Sequence, residues 1–470
     1  MTYNIKFFIC TLFLFANFPM MSTLAQTPSV QHFSVEQAVD YALKNSATVK
    51  NALLDIKIQK EVNRGVTSAA LPNISSNVSV SRYFDVPTQV IPDFISPFTY
   101  QVLIDQGVKD GNGNTITFPE GGFGSLPFQF GSNWQASGGI DLTQLLFDGQ
   151  VFVGLQARNT AMRFAGKKAE VTQVEIKANV EKIYYQLVVG NQQMSSIDAN
   201  ILRFEKLLND TRKIYENGFA EKLDVDKVSV QLNNLITEKI KVQNGLNAGM
   251  AGLKFLMNFP QKDSLVLTDV VTEDSVKEGL LDTAYQYQDR KDYQLLKEAL
   301  RLNKYNIKRY QLSGLPTLAL FGSYSKNAQR NQFDFFDGGT WFTTNLVGLK
   351  LTFPLFRGFA RSAQVAEAKY EWQKQQNNLQ QMEASIDNDV KQAILNIRSA
   401  VQTIDNQRKN MDLAEQVYNT TVLKYQQGLG SNQEIYTAQT ELKMAQNNYY
   451  SALYDAIIAK VNYLKAAGKL

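Results

Sequence analysis

The chain has 470 residues, 48 lysines and arginines against 44 acidic residues, and a formal net charge of +4. Such a small positive excess, with no basic cluster, argues against nucleic acid as a partner. With one cysteine, Cys10, and one histidine, His32, the chain offers no cluster of the usual transition-metal ligands, so we expect neither a metal nor a cofactor.

The first residues predict a secretory signal. Lys6 precedes an apolar run over residues 7–18, and a small-residue stretch ends at Ala25. We therefore expect residues 1–25 to be removed on export, together with Cys10. Downstream, Ser34-Val-Glu-Gln37 has the spacing of a capping box and predicts a helix that continues to about Ala69.

Four segments alternate polar and apolar residues, the period of a β-strand with two different faces. They cover about residues 74–84, 134–147, from 317 onward, and 341–353. A polar face opposite an apolar face suits a barrel wall between lipid and water. The residues predicted to face lipid are Val78, Val80, Ile140, Leu142, Leu318, Leu320, Leu349 and Leu351.

Four strands are too few to close a barrel, because small closed barrels need about eight. Open sheet edges are not tolerated in lipid, so a barrel built from these strands requires several chains. Between the first two strands, residues 85–133 are rich in proline, glycine and phenylalanine, and we assign them no role.

Long proline-free runs follow the strands and predict two helical hairpins. The first hairpin has helices at about residues 149–215 and 223–257, and the second extends from 358 to 470. Apolar residues alternate at steps of three and four, the pattern of a coiled-coil seam. Subtracting 210 from the second seam gives the first, with Gly218 under Gly428, which indicates an internal duplication. We therefore divide the chain into the signal 1–25, a first repeat 26–260 and a second repeat 261–470.

Several short motifs resemble the outer-membrane efflux protein family, the TolC-type channels of Gram-negative bacteria. Their order and spacing match the family in both halves of the chain. They are Ser34-Val-Glu-Gln-Ala38, Leu71-Pro-Asn-Ile74, Phe147-Asp-Gly149 with Phe356-Arg-Gly358, Tyr215-x-x-Gly218 with Leu223-Asp-Val225, and Tyr425-x-x-Gly428 with Glu434-Ile435.

The resemblance implies a mainly α fold with β-structure: a long α-helical coiled-coil barrel, plus a 12-stranded transmembrane β-barrel that a homotrimer shares, four strands per chain. It implies an outer-membrane location with the helices in the periplasm. The channel would be a passive exit duct for efflux or type I secretion. Its implied partners are a periplasmic adaptor (membrane fusion protein), an inner-membrane RND or ABC transporter, and outer-membrane lipid.

The resemblance also implies that the two hairpin turns are periplasmic tips that contact the adaptor and form the aperture. The residues in question are Gly218, Asp224, Asp226, Gly428, Ser431 and Glu434. A simpler interpretation stays open for them. Acids in a first helical turn, and a serine three residues before a glutamate, cap helices without any partner, and glycine eases a turn.

Two other classes of function remain as alternatives. A periplasmic coiled-coil scaffold or adaptor without a barrel would explain the helices but has no use for four alternating strands. A secreted enzyme is not supported, because the chain has no Ser/His pair, metal-ligand cluster or phosphate-binding loop. We expect no catalytic site.

Overall fold

The computed structural model of the protein describes residues 30–277 and 284–470, so the predicted signal lies outside the described residues. In chain order the elements are β1 (Val30–Phe33), α1 (Val35–Asn45), α2 (Ala47–Ser68), β2 (Asn73–Arg82), β3 (Thr88–Pro92), α3 (Ile95–Asp105), β4 (Ser125–Gln129), β5 (Trp134–Phe147), α4 (Gly149–Glu216), α5 (Lys222–Met257), β6 (Ser264–Leu267), α6 (Glu273–Lys277), a 3₁₀ helix (Tyr287–Asp289), α7 (Lys291–Leu312), β7 (Thr317–Arg330), β8 (Phe342–Thr352), α8 (Ala360–Gln426) and α9 (Asn432–Ala466).

The chain divides into two compact units, and each draws on both halves of the sequence. The helical unit comprises the described part of Met1–Lys57 together with Phe164–Lys297 and Asn377–Leu470, and the strand unit comprises Ile58–Arg163 and Glu298–Gln376. In the described residues, no helix has a stretch long and apolar enough to cross a membrane. The two units cut across the two sequence repeats, whose boundaries stay a prediction.

The helical unit is built on the predicted seams. The paired helices α4 and α8 end at Glu216 and Gln426, and α5 and α9 begin at Lys222 and Asn432, so both boundaries keep the 210-residue offset. All nine seam positions predicted on α9 are buried: Ile435, Ala438, Leu442, Ala445, Tyr449, Ala452, Ala456, Ala459 and Tyr463. The alternating pattern thus identified the buried face of this helix.

The spacing of three and four residues places two polar residues, Asn191 and Arg408, in the predicted seams, where a polar side chain can fix the register of packed helices. Both lie outside the core. Asn191 is exposed, so it faces solvent and does not fix the register of the helices. Arg408 is also exposed, and its guanidinium lies 5.6 Å from the centre of the Tyr449 ring and 3.2 Å from a carboxylate oxygen of Asp412. Neither side chain therefore packs in the buried seam.

Two predicted helices are interrupted. The helix expected from Ser34 to Ala69 begins with the predicted capping box, but it breaks at Ser46, whose ψ of 130° turns the chain. The sequence repeat also predicts a helix from Ser275 to Ser313, the counterpart of the helix from Ser34 to Ala69. As a continuous element this helix is wrong, since residues 284–286 are not helical and α7 begins only at Lys291. There the hydroxyls of Tyr285 and Tyr287 donate to the Asp387 carboxylate at 2.7 and 3.0 Å, and these bonds attach the segment to α8.

The strand unit contains the four predicted strands in one antiparallel sheet of order β2-β5-β7-β8. Because β5 pairs with β7, the sheet joins the two halves of the chain, and β2 and β8 form its edges. Residues 85–133 have structure of their own. They contain the antiparallel strand pair β3–β4, with the helix α3 between the two strands in the chain. The Asp110 carboxylate accepts from the backbone N–H groups of Asn112 and Asn114 at 2.9 and 2.8 Å.

Candidate functional site: the hairpin tips and the strand sheet

The two helical hairpins close with the same turn. Gly218 and Gly428 follow α4 and α8 with φ values of 81° and 72°, a left-handed conformation that favours glycine. In each turn the glycine N–H donates to the tyrosine carbonyl three residues earlier, Tyr215 or Tyr425, at 2.9 Å. The glycine positions predicted from the sequence are therefore set by backbone geometry.

A substitution separates this backbone requirement from helix propensity. We expect Gly218→Ala to destabilise the hairpin by about 1–2 kcal/mol, because alanine is strained at positive φ. Gly245→Ala, an exposed position within α5 with open space around it, is the control, and we expect it to be neutral or to stabilise by up to about 1 kcal/mol. Thermal unfolding followed by circular dichroism measures both, and equal melting temperatures would contradict the turn assignment.

Two of the predicted residues, Asp224 and Ser431, cap the helices that follow the turns. The Asp224 carboxylate accepts from the Glu221 N–H at 3.3 Å, which completes a capping box at the start of α5. At the start of α9, the Ser431 hydroxyl accepts from the Glu434 N–H at 3.3 Å. The Glu434 carboxylate pairs with Lys424 at 3.1 Å instead of returning to the Ser431 backbone, so only half of the predicted capping box forms.

One hydrogen bond links the two hairpins near their tips. The Tyr436 hydroxyl of α9 donates to the backbone carbonyl of Asp224 at 3.3 Å. Burial, and after it the neighbouring Asp224 carboxylate, raise the pKa of Tyr436 above its usual value, so the hydroxyl stays protonated. The residue belongs to a core cluster with Phe204, Val228 and Leu442, and this cluster holds all four long helices together at their tip ends.

Sequence reasoning missed two exposed apolar residues in the turns. Phe219 is 86% exposed and Leu429 is 70% exposed, and the two are again 210 residues apart. The 210-residue repeat could have identified them in the sequence, because it aligns the two turn glycines and each of these residues directly follows one of them. Phe219 and Leu429 occupy the same position in the two repeated turns, and an exposed apolar side chain at each turn suits a contact with a partner. Asp226, also predicted, is exposed one turn into α5.

In the strand unit, the register places all eight residues predicted to face lipid on one face of the sheet. Directly paired residues share a face, and the pairs Val80↔Ala136, Leu142↔Gly322, Leu320↔Leu349 and Leu318↔Leu351 connect the four strands. Val78, Val80, Ile140, Leu349 and Leu351 are exposed, and Leu142, Leu318 and Leu320 are half-buried. The register adds Val347, which is 81% exposed and was not predicted.

The opposite face of the sheet is polar and internally hydrogen-bonded. The Asn77 amide donates to the Asp141 carboxylate at 2.7 Å, and the Ser79 and Ser137 hydroxyls lie 2.8 Å apart. These contacts join β2 to β5. Serine and asparagine continue on β7, where Asn327 donates to Ser325 at 3.4 Å. A face of this kind tolerates water.

Comparisons with known proteins agree with this architecture. Residues 290–469 match the family described as "Outer membrane efflux protein". The outer membrane protein TolC of Salmonella enteritidis is 22% identical over 348 residues, which cover 72% of this chain and 70% of TolC. The proteases secretion protein PrtF of Dickeya chrysanthemi is 20% identical over 339 residues, 70% of each chain.

Solved structures show the same fold. CusC, which was solved in a study of folding and transmembrane channel formation, superposes on this chain with a TM-score of 0.70 at 15% sequence identity. The superposition covers 92% of this chain and 91% of the CusC chain. The Campylobacter jejuni CmeC outer membrane channel superposes with a TM-score of 0.70 at 16% identity, with coverages of 93% and 85%.

The fold is therefore that of the outer-membrane channel proteins, as predicted. The resemblance to the TolC-type outer-membrane efflux protein family is confirmed by the family match over residues 290–469 and by the similarity to TolC and PrtF. Of these relatives, TolC is named as an outer membrane protein and PrtF as a protein of protease secretion.

Proposed function

We propose that three copies of this chain assemble into a passive exit duct that crosses the outer membrane and extends into the periplasm. The observation that carries the proposal is the four-stranded sheet, which has one apolar face, one hydrogen-bonded polar face and two open edges. In lipid, unpaired backbone groups at a sheet edge are too costly to persist, so β2 of one copy must pair with β8 of the next. Three copies of four strands close a ring of twelve.

The strand directions support this closure. Each strand in the sheet is antiparallel to its neighbour, so β2 and β8 run in opposite directions. Joining them between copies keeps every pair antiparallel around the ring. The apolar face then meets lipid, and the polar face with Asn77, Ser79 and Asp141 lines a water-filled lumen.

The hairpin tips are the proposed docking surface for a periplasmic adaptor, which connects the duct to an inner-membrane RND or ABC transporter. Phe219 and Leu429 supply exposed apolar contacts there, next to the exposed acids Asp226 and Glu434. Energy comes from the transporter, so the duct itself needs no catalytic group and acts as no enzyme. In this arrangement each sequence repeat contributes two strands and one hairpin.

The proposed docking is tested by placing a charge on each apolar tip. We expect Phe219→Asp combined with Leu429→Asp to lower export at least tenfold, because a carboxylate would have to be desolvated at the contact. The assay is substrate accumulation in a strain that lacks its own copy of the gene. The control is Phe255→Asp, since Phe255 is 82% exposed near the opposite end of α5.

Trimer yield in the outer membrane is measured for every variant, so that loss of assembly is not mistaken for loss of docking. Full export by the double tip variant, with trimer yield equal to wild type, would contradict the docking surface.

A separate pair of substitutions distinguishes helix capping from a role in the aperture. We expect Asp224→Lys and Glu434→Lys to reduce export with assembly intact, because they reverse charge at the proposed aperture. Asp224→Asn preserves a side-chain acceptor for the Glu221 N–H but removes the charge. If Asp224→Asn exports normally and Asp224→Lys only lowers helix stability, capping alone explains the residue.

A further inference from the structure

We propose that Arg82 and Lys326 form a binding site for the phosphate groups of a lipid in the distal leaflet, the leaflet farther from the helices. The inference rests on the proposed function, because it takes the apolar face of the sheet to meet lipid. It assigns a ligand to two charged residues that the channel function leaves unexplained.

The charges of the sheet are distributed unevenly between its faces. The strands β2, β5, β7 and β8, all fully described, carry five charged residues. By register, Asp141 and Lys350 lie on the polar face, whereas Arg82, Lys326 and Arg330 lie on the apolar face. The apolar face therefore carries cations only, and it carries them all toward the end of the sheet that is farther from the helices.

The three cations differ in whether a protein group already neutralises them. Arg330 already has protein partners, since its guanidinium lies 3.4 Å from the Asp334 carboxylate and donates to the Gly338 carbonyl at 2.7 Å. Arg82 and Lys326 are exposed and form no ion pair within the described residues. Arg82 instead lies over two aromatic rings, at 4.9 Å from Phe84 and 5.4 Å from Trp134.

Depth along the barrel wall places these two cations at the lipid headgroups. At about 3.4 Å per residue and a tilt of about 40°, each step of two residues rises about 5 Å. Counted along β7 from Leu318, Lys326 lies about 21 Å and Arg330 about 31 Å along a hydrocarbon band about 25 Å tall. Arg82 is in the row of Arg330 but two strands away, so the tilt displaces its height by about 6 Å from that of Arg330. Lys326 thus lies just inside the distal boundary, where its long side chain reaches outward, and Arg82 lies at or beyond it.

Small residues lie directly beside Lys326 across the sheet. Its register partners are Gly138 on β5 and Thr343 on β8, which leave room for a headgroup in that row, whereas the next row toward Arg82, Ala136 and Ala328, is buried with Phe335. A cation without a partner at the edge of hydrocarbon is costly, and a phosphate oxygen compensates for that cost through a charge-assisted hydrogen bond. Trp134 beside Arg82 is a typical interfacial anchor.

The test measures binding of a phosphorylated lipid by the intact trimer in detergent. The probe is diphosphoryl lipid A, compared with its dephosphorylated form, for wild type, Arg82→Gln, Lys326→Gln, the double variant and Lys350→Gln. A surface cation contributes roughly a fivefold change, so we expect about fivefold weaker binding for each single variant and about 25-fold for the double variant. Lys350→Gln, on the opposite face, should bind as wild type does.

The arms of the experiment separate the possible explanations. Unchanged affinity in the double variant, or equal affinity of wild type for the dephosphorylated lipid, would overturn the site. If an equal concentration of inorganic phosphate displaced the lipid, the site would bind free phosphate and the proposal of a lipid ligand would be contradicted. If the lipid stayed bound in excess phosphate, the lipid ligand would be supported. If wild type assembles as a trimer in the outer membrane but does not bind the phosphorylated lipid through these residues, only the lipid site is contradicted. If wild type does not assemble there, the proposed channel and the lipid site are both contradicted.

Discussion

Replacing Val347 by arginine is expected to abolish assembly in the outer membrane. Val347 is 81% exposed on edge strand β8 and pairs with Gly322, about 10 Å along the apolar band from Leu318, which is close to its middle. An arginine at the bilayer midplane costs about 2–4 kcal/mol, and a trimer bears this cost three times. The measurement is the yield of heat-resistant trimer from isolated outer membranes.

The neighbouring residue provides a matched control. Leu346 lies on the same strand and points to the opposite, polar face, so Leu346→Arg introduces the same side chain where water is expected. We expect that variant to assemble at close to the wild-type yield. If both arginine variants assembled equally well, or if Leu346→Arg were the more damaging, the assignment of the lipid-facing side would be wrong.

In the helical unit, Phe204→Ala is expected to destabilise the tip end of the four-helix arrangement by about 3–5 kcal/mol in each chain. Phe204 is fully buried in a cluster that contains Val228, Tyr418 and Leu442 from the three other long helices. Removing its ring therefore leaves a cavity that touches all four helices.

The comparison variant is Leu202→Ala, because Leu202 lies two residues earlier on the same helix and is 66% exposed. A substitution at an exposed site of this kind usually changes stability by no more than about 0.5 kcal/mol. Thermal unfolding and protease resistance of the tips measure the difference between the two variants. Equal stability of the two would contradict the assignment of this cluster as the core at the tips.

The sequence predicted the long helices well because their buried faces repeat at fixed local spacing. The seam on α9 is buried at every predicted position, and the turn glycines fall where the left-handed conformation is needed. Such features depend on neighbours within one or two helical turns, so periodicity alone detects them. The same holds for the four strands, whose alternation marks two distinct faces.

What the sequence could not predict depends on contacts between distant residues. The break before α7 follows from hydrogen bonds of Tyr285 and Tyr287 to Asp387, about a hundred residues further on. The pairing of β5 with β7, which joins the two repeats, has no local signature either. Without that register, the row of Arg82, Trp134 and Arg330 cannot be recognised as one end of a single face.

The most direct test of the shared barrel is an interchain disulfide scan of the two edge strands. Single cysteines from Ile74 to Val80 on β2 are each combined with a cysteine on β8 in place of Val347, and Cys10 does not interfere because it is expected to leave with the signal. Facing residues of adjacent antiparallel strands lie about 4.5–5.5 Å apart at Cβ, close enough for a disulfide. We expect at least one pair to give covalently linked trimers in the outer membrane. The absence of interchain links at every position, with a water-soluble monomer as the main species, would contradict it.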